Sequence, residues 1–219
     1  MSYDKELVAH KLRRWENYLI NYKLPAWKEL PDIGLYMDQV IALLGQYLDF
    51  IPVEEKNKPV TPTTINNYVR LKVMPAPEKR KYYRIHIAYL IMIFTLKQGT
   101  SINGIQQLLP ASAPEEEVKA FYTNYIQRLQ EISLFYIEQT RAAAQDLLHQ
   151  PKEAEEGAIE HFITQSILMS GFSRILADKL LRLRDADTQQ VLSLEKARDE
   201  RGYHPADQDE EEGGLPHAL

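Results

Sequence analysis

The chain of 219 residues contains no cysteine. That absence excludes a disulfide framework, a zinc–thiolate site, an iron–sulfur cluster and a thiol nucleophile. Glycine is scarce, at nine residues, and neither a GxGxxG run nor a GxxxxGK run followed by Ser or Thr occurs, so the common phosphate-cradling loops have no candidate. No apolar stretch approaches the ~20 residues that span a bilayer, and the opening MSYDKELVAHKLRRW lacks the apolar core of a signal peptide. A soluble, cytoplasmic protein without a membrane partner is expected. The six histidines form no HExxH, and Glu160-His161 are adjacent, so they point to different faces of a helix. Ser133 and Ser166 fall in helical stretches without the strand-turn-helix setting of a nucleophile elbow. No metal, cofactor or catalytic residue is therefore expected, and the chain reads as a non-enzyme.

What the sequence does hold is enough apolar residues, 44%, to build a core, and an uneven charge. The net charge is −5, yet from Lys56 to Lys97 nine basic residues face the single acid Glu78, which makes that segment +8 and leaves −13 for the remainder. The acids gather in Glu115-Glu116-Glu117, in Glu153, Glu155 and Glu156, and between Asp207 and Glu212. A basic island in an acidic chain points to a polyanionic partner.

Apolar periodicity predicts mainly helix. Val8, Leu12, Trp15, Leu19 and Tyr22 lie on one stripe, and a Pro-bracketed connector, LPAWKELP, follows it, anchored by Trp27. Met37, Val40, Ile41, Leu44 and Leu48 mark a second helix, with Asp32 as its expected N-cap. After a charged, Pro-containing loop, Thr61-Pro62 start a third helix of about three turns, closed by Pro75 and Pro77. PEKRKYYR reads as a small hairpin or wing, and IHIAYLIMIFTL as a helix buried on most sides. Gly99 is expected to cap it, and Ser101 to start a short helix through Ile102, Ile105 and Leu109. Glu115 to Gln150, free of Pro and Gly, reads as one long helix, and Ile159 to Leu183 as a second that returns alongside it as a hairpin.

Thr64-Ile65-Asn66-Asn67-Tyr68-Val69-Arg70, then Val73-Met74-Pro75, Tyr82-Tyr83-Arg84 and Leu96 through Ile105 together resemble the winged helix-turn-helix of MerR-type transcription regulators over about fifty residues. More closely, LPAWKELPDIGLYMDQVIALLGQYL followed by TPTTINNYV, roughly residues 24 to 109, resembles a bacterial family described only as a domain of unknown function, DUF1836. The resemblance implies an all-α fold with a small β wing. The expected division is an N-terminal helix and connector over 1–34, a MerR-like winged unit over 35–110, a helical hairpin for oligomerisation or regulation over 115–184, and a short helix or disordered acidic tail over 185–219.

On this reading the third helix presents Thr63, Thr64, Asn66, Asn67 and Arg70 to double-stranded DNA, since asparagine can read adenine and arginine guanine. Lys72, Lys79, Arg80, Lys81 and Arg84 would neutralise phosphates and set register. Tyr82 and Tyr83 would either lie along a sugar–phosphate edge or belong to the core. Tyr122, Tyr125, Leu129, Ile132 and Tyr136 form the expected seam of a homodimer, in preference to a ligand pocket. The expected function is that of a dimeric bacterial transcription regulator with no identified small-molecule or protein effector. The alternative is a non-enzymatic interaction module whose winged unit meets a protein instead of DNA.

Overall fold

The computed structural model describes residues 3–51, 60–184, 186–189, 192, 193 and 196. The expected tail over 185–219 and the loop basic residues Lys56 and Lys58 lie mostly or wholly outside these residues. The chain divides into a large compact unit, Met1–Asp178, and a small one, Lys179–Leu219. Its elements are α1 (Lys5–Asn21), a single 3-10 turn (Trp27–Glu29), α2 (Met37–Tyr47), α3 (Pro62–Arg70), α4 (Arg84–Leu96), α5 (Ile102–Leu108), α6 (Glu115–Ala143), α7 (Gln145–His149) and α8 (Ala158–Arg182). The all-α expectation holds for the described residues.

The core forms around α4. Its residues His86 through Phe94 are all buried, because a helix apolar on every side can only be stable when surrounded. α2 and α6 pack directly against it, and Tyr68 of α3 meets Phe94 edge-on with ring centroids 5.5 Å apart. The Pro-rich connector is pinned from two sides. Trp27 packs edge-on against Tyr122, and the Tyr122 hydroxyl donates to the Pro25 carbonyl at 2.8 Å. Tyr89 likewise donates to the Pro110 carbonyl at 2.6 Å, and Tyr22 to the Tyr47 carbonyl.

Helix starts follow local chemistry. Thr61 Oγ1 accepts from the Thr64 amide at 3.1 Å with Pro62 in the first turn, and Ser101 Oγ accepts from the Gly104 amide at 3.2 Å. Asp4 caps α1 by accepting from Leu7. Two expected caps are corrected. Tyr36 holds the N-cap position of α2, its amide donating to Gln39 Oε1 at 2.9 Å, while Asp32 is taken by an ion pair with Arg84. α4 ends at Lys97, not Gly99, in right-handed geometry.

Three longer-range expectations also change. First, no strand and hence no β wing forms among the described residues: Glu78 and Lys81 close a two-residue turn, and Tyr82 bridges to Leu35, with each amide donating to the other's carbonyl at 2.8 Å. Beyond that single Glu78–Lys81 pair the segment bonds to the loop ahead of α2, since Pro75 and Pro77 offer no amides with which to lengthen a ladder. Second, the helix from Glu115 breaks at Ala144 (φ −111°, ψ 22°), where Ala144 and Leu147 turn in to pack with Ala154, Ile159, Val8 and Leu12. Third, the partners of α6 are α1, α4, α7 and the 3-10 turn, so the hairpin with α8 lacks a packed seam. α1 is tied there by Arg141 to Glu16, and by Arg13 donating to the Leu148 carbonyl. Of α8, Ile159 is buried and Phe162 half-buried, and Thr100 Oγ1 donates to Asp178 Oδ1 at 3.3 Å; the apolar residues between stay exposed.

Gly34 is set where the chain before α2 crosses the basic turn: an added Cβ would lie 2.8 Å from Lys81 Cδ and 3.0 Å from both Lys81 Cβ and Tyr83 Cζ. Gly34→Ala is expected to cost about 1–3 kcal/mol through overpacking, read as a lower midpoint in urea at unchanged slope. The tyrosines supply a second expectation. Burial pushes the phenols of Tyr22 and Tyr122 well above the ordinary range, and that of Tyr89 up to about 12 with help from nearby Glu117. Their neutral forms are favoured by folding, so this stability is complete below pH ~10 and is lost as pH rises through the folded values. The melting temperature should hold to about pH 9 and fall beyond 10, together with a step in tyrosinate absorbance; a flat profile to pH 12 would contradict the burial.

Candidate nucleic-acid interface

α3 divides cleanly between core and solvent. Ile65 and Tyr68 are buried, while Thr63, Asn66 and Arg70, at successive helical turns, are exposed. Asn67 is half-buried and its Oδ1 accepts from Arg70 Nη2 at 2.8 Å, which orients the guanidinium along the polar face. Thr64 serves the helix start: its hydroxyl lies 2.8 Å from that of Thr61. Gln106 of α5 donates to the Leu71 carbonyl at 3.1 Å and ties the end of α3 to α5.

The helix ends in a Schellman arrangement, with Val73 N–H donating to the Tyr68 carbonyl and Lys72 N–H to the Val69 carbonyl, both at 3.0 Å. That motif places Lys72 in the left-handed region, at φ 55°, where glycine is usual. Lys79 and Arg80 form the tip of the turn closed by Glu78 and Lys81, at φ 49° and 66°. Among the described residues these three are the non-glycine positions with positive φ. All three are basic and exposed, and none has an ion pair among the described residues. Left-handed lysine or arginine costs on the order of 1 kcal/mol per position, a cost that concentrates at functional sites.

The five cations expected to meet phosphate therefore separate. Lys72, Lys79 and Arg80 are open to solvent, whereas Lys81 and Arg84 are held within the chain. Lys81 lies against Gly34, with Nζ 5.5 Å from the Tyr36 ring centroid, a cation–π contact. Arg84 is half-buried, its Nε donating to the Leu30 carbonyl at 3.2 Å and its Nη2 3.4 Å from Asp32. Tyr82 is buried and belongs to the core. The turn is coupled to α4 through His86, whose Nδ1 accepts from the Tyr83 amide and whose Nε2 donates to the Ala76 carbonyl, both at 3.0 Å.

The expected dimer seam is likewise redrawn. Tyr122 is buried, Tyr125 bonds with Thr95 and Leu129 packs on the same core, so these three face the chain's own interior. Ile132 and Tyr136 remain exposed. Sequence reading missed Gly34, Tyr36 and Gln106, which brace the basic turn and the end of α3; the glycine just ahead of a helix was the one local signal. Among the described residues no group of three or more His, Asp or Glu side chains could hold a metal ion, and no helix is long and apolar enough to cross a membrane.

Arg84→Ala is expected to lower the unfolding free energy by about 1–2 kcal/mol by removing two polar contacts of a half-buried group, while Lys79→Ala stays within ~0.5 kcal/mol of the parent. Urea unfolding of both variants checks the division; equal losses would refute it.

Residues 25–125 match the model of the family described as Domain of unknown function (DUF1836). The match runs from the connector through α3 and the basic turn into α6 and bears out that resemblance, while no curated protein and no solved structure matches the chain.

Proposed function

We propose that this chain is a non-enzymatic, sequence-specific DNA-binding protein, a bacterial transcription regulator that acts as a dimer. The observation that carries the reading is that the left-handed non-glycine residues among those described, Lys72, Lys79 and Arg80, are all basic, exposed and without an ion pair, with Lys72 at the end of α3 itself. α3 enters the major groove with Asn66 and Arg70 toward base edges, and Asn67 holds Arg70 in a fixed pose. Lys72 at the helix end and Lys79-Arg80 at the turn meet phosphates and set the depth of insertion. On this reading the two-residue basic turn stands where a MerR-like unit would carry its strand wing. Two copies are required because half-sites one helical turn apart are read together only by a two-fold partner.

Fluorescence anisotropy on a labelled random duplex across a salt series tests the proposal. Binding at micromolar or tighter affinity at low salt is expected, with log K falling by about 0.9 per phosphate neutralised. Lys79→Ala and Arg80→Ala should each lower that slope by about 1 per copy and weaken all sequences alike; Arg70→Ala should cost about 1–3 kcal/mol on the selected site and relax one base preference. No binding at low salt would sink the DNA reading and leave the basic face to an acidic protein.

A further inference from the structure

α8 carries an apolar face that none of the described residues covers. Leu168, Met169, Phe172, Ile175 and Leu176 recur at helical spacing on one side, and each is between 53% and 66% exposed. These five side chains offer on the order of 500 Å² of contiguous apolar surface, at the upper end of what monomeric proteins leave open in one patch. At 25 residues α8 is roughly 37 Å long, enough for a two-helix seam.

We propose that α8 pairs antiparallel with the α8 of a second copy of this chain. The charge pattern selects that occupant. Glu153, Glu155, Glu156 and Glu160 lead into the helix, Arg174, Lys179, Arg182 and Arg184 gather at its other end around the single acid Asp178, whose carboxylate accepts from Thr100, and thirteen residues without Asp, Glu, Lys or Arg separate Glu160 from Arg174. A parallel pair sets like charges together at both ends, whereas an antiparallel pair sets each acidic end against a basic one and is self-complementary about a two-fold axis near Met169 to Phe172. A membrane-surface helix would carry its cations along a whole polar face; here Ser166, Ser170 and Ser173 occupy the side away from Phe172 and the cations stand at one end. The pairing names the surface that joins the two copies in the DNA-binding reading, but it does not depend on DNA.

Sedimentation of the full chain without DNA is expected to give twice the 25.4 kDa chain mass. Phe172→Glu should raise the dimer dissociation constant about 30-fold or more with unchanged helicity. Because the chain has no cysteine, single-cysteine variants report register without background. Met169→Cys should cross-link to itself with a short bismaleimide, and Glu160→Cys should not, yet should cross-link to Arg182→Cys in a mixed sample. A monomer at tens of micromolar, self-linking of Glu160→Cys, or capture by lipid vesicles in place of self-association each overturns the pairing. A dimer that ignores duplex DNA refutes the DNA reading alone, and a monomer that binds duplex refutes the pairing alone.

Discussion

The larger unit depends on the need to enclose α4. Nine consecutive residues, from His86 to Phe94, have no face to give to solvent. Each large apolar side chain among them contributes about 1.5–3 kcal/mol when fully removed from water, as an upper bound. α2 and α6 close two sides directly, α3 reaches it through Tyr68, and the segment after α5 reaches it through the Tyr89 hydroxyl. The polar face of α3 is exposed for the same reason that Ile65 and Tyr68 are not: the helix has one side committed to α4 and its neighbours.

Enclosing such a helix with Pro-rich connectors creates a polar deficit, since proline offers no amide and its neighbours cannot join a regular ladder. Tyrosine hydroxyls answer it. Tyr122 and Tyr89 donate to the carbonyls of Pro25 and Pro110, and Tyr22 does the same at the end of α2. These phenols carry apolar rings into the core and deliver one donor each to a backbone carbonyl of the connectors and of the end of α2, that of Pro110 being shared with the Ala113 amide.

Much of this was legible in the sequence where the cause is local. Thr61-Pro62 and Ser101 announce helix starts, and the unbroken apolar run announces α4. What was not legible rests on residues distant in the chain. Asp32 has the chemistry of a cap but is claimed by Arg84; Ala144 carries no breaker signal, and the helix yields there because α1 draws Ala144 and Leu147 inward. At the candidate site the polar residues of α3 could be read from spacing. The separation of Lys72, Lys79 and Arg80 from Lys81 and Arg84 could not, because all five are the same chemistry until Gly34, Tyr36, Leu30 and Asp32 take two of them out of solvent. Lysine and arginine are also poor predictors of left-handed backbone, so the turn at Lys79-Arg80 had no residue signature.

The imidazole of His86 has a consequence of its own. By bonding the Tyr83 amide on one side and the Ala76 carbonyl on the other, it spans the base of the loop that bears Lys79 and Arg80 and fixes both ends of that loop to α4, whose residues from His86 to Phe94 are all buried. The loop tip is thereby a rigid outrigger of α4, not a tether. Ordering a free loop of long cationic side chains at a surface would forfeit conformational entropy at the moment of contact; here the backbone share of that loss has already been met during folding.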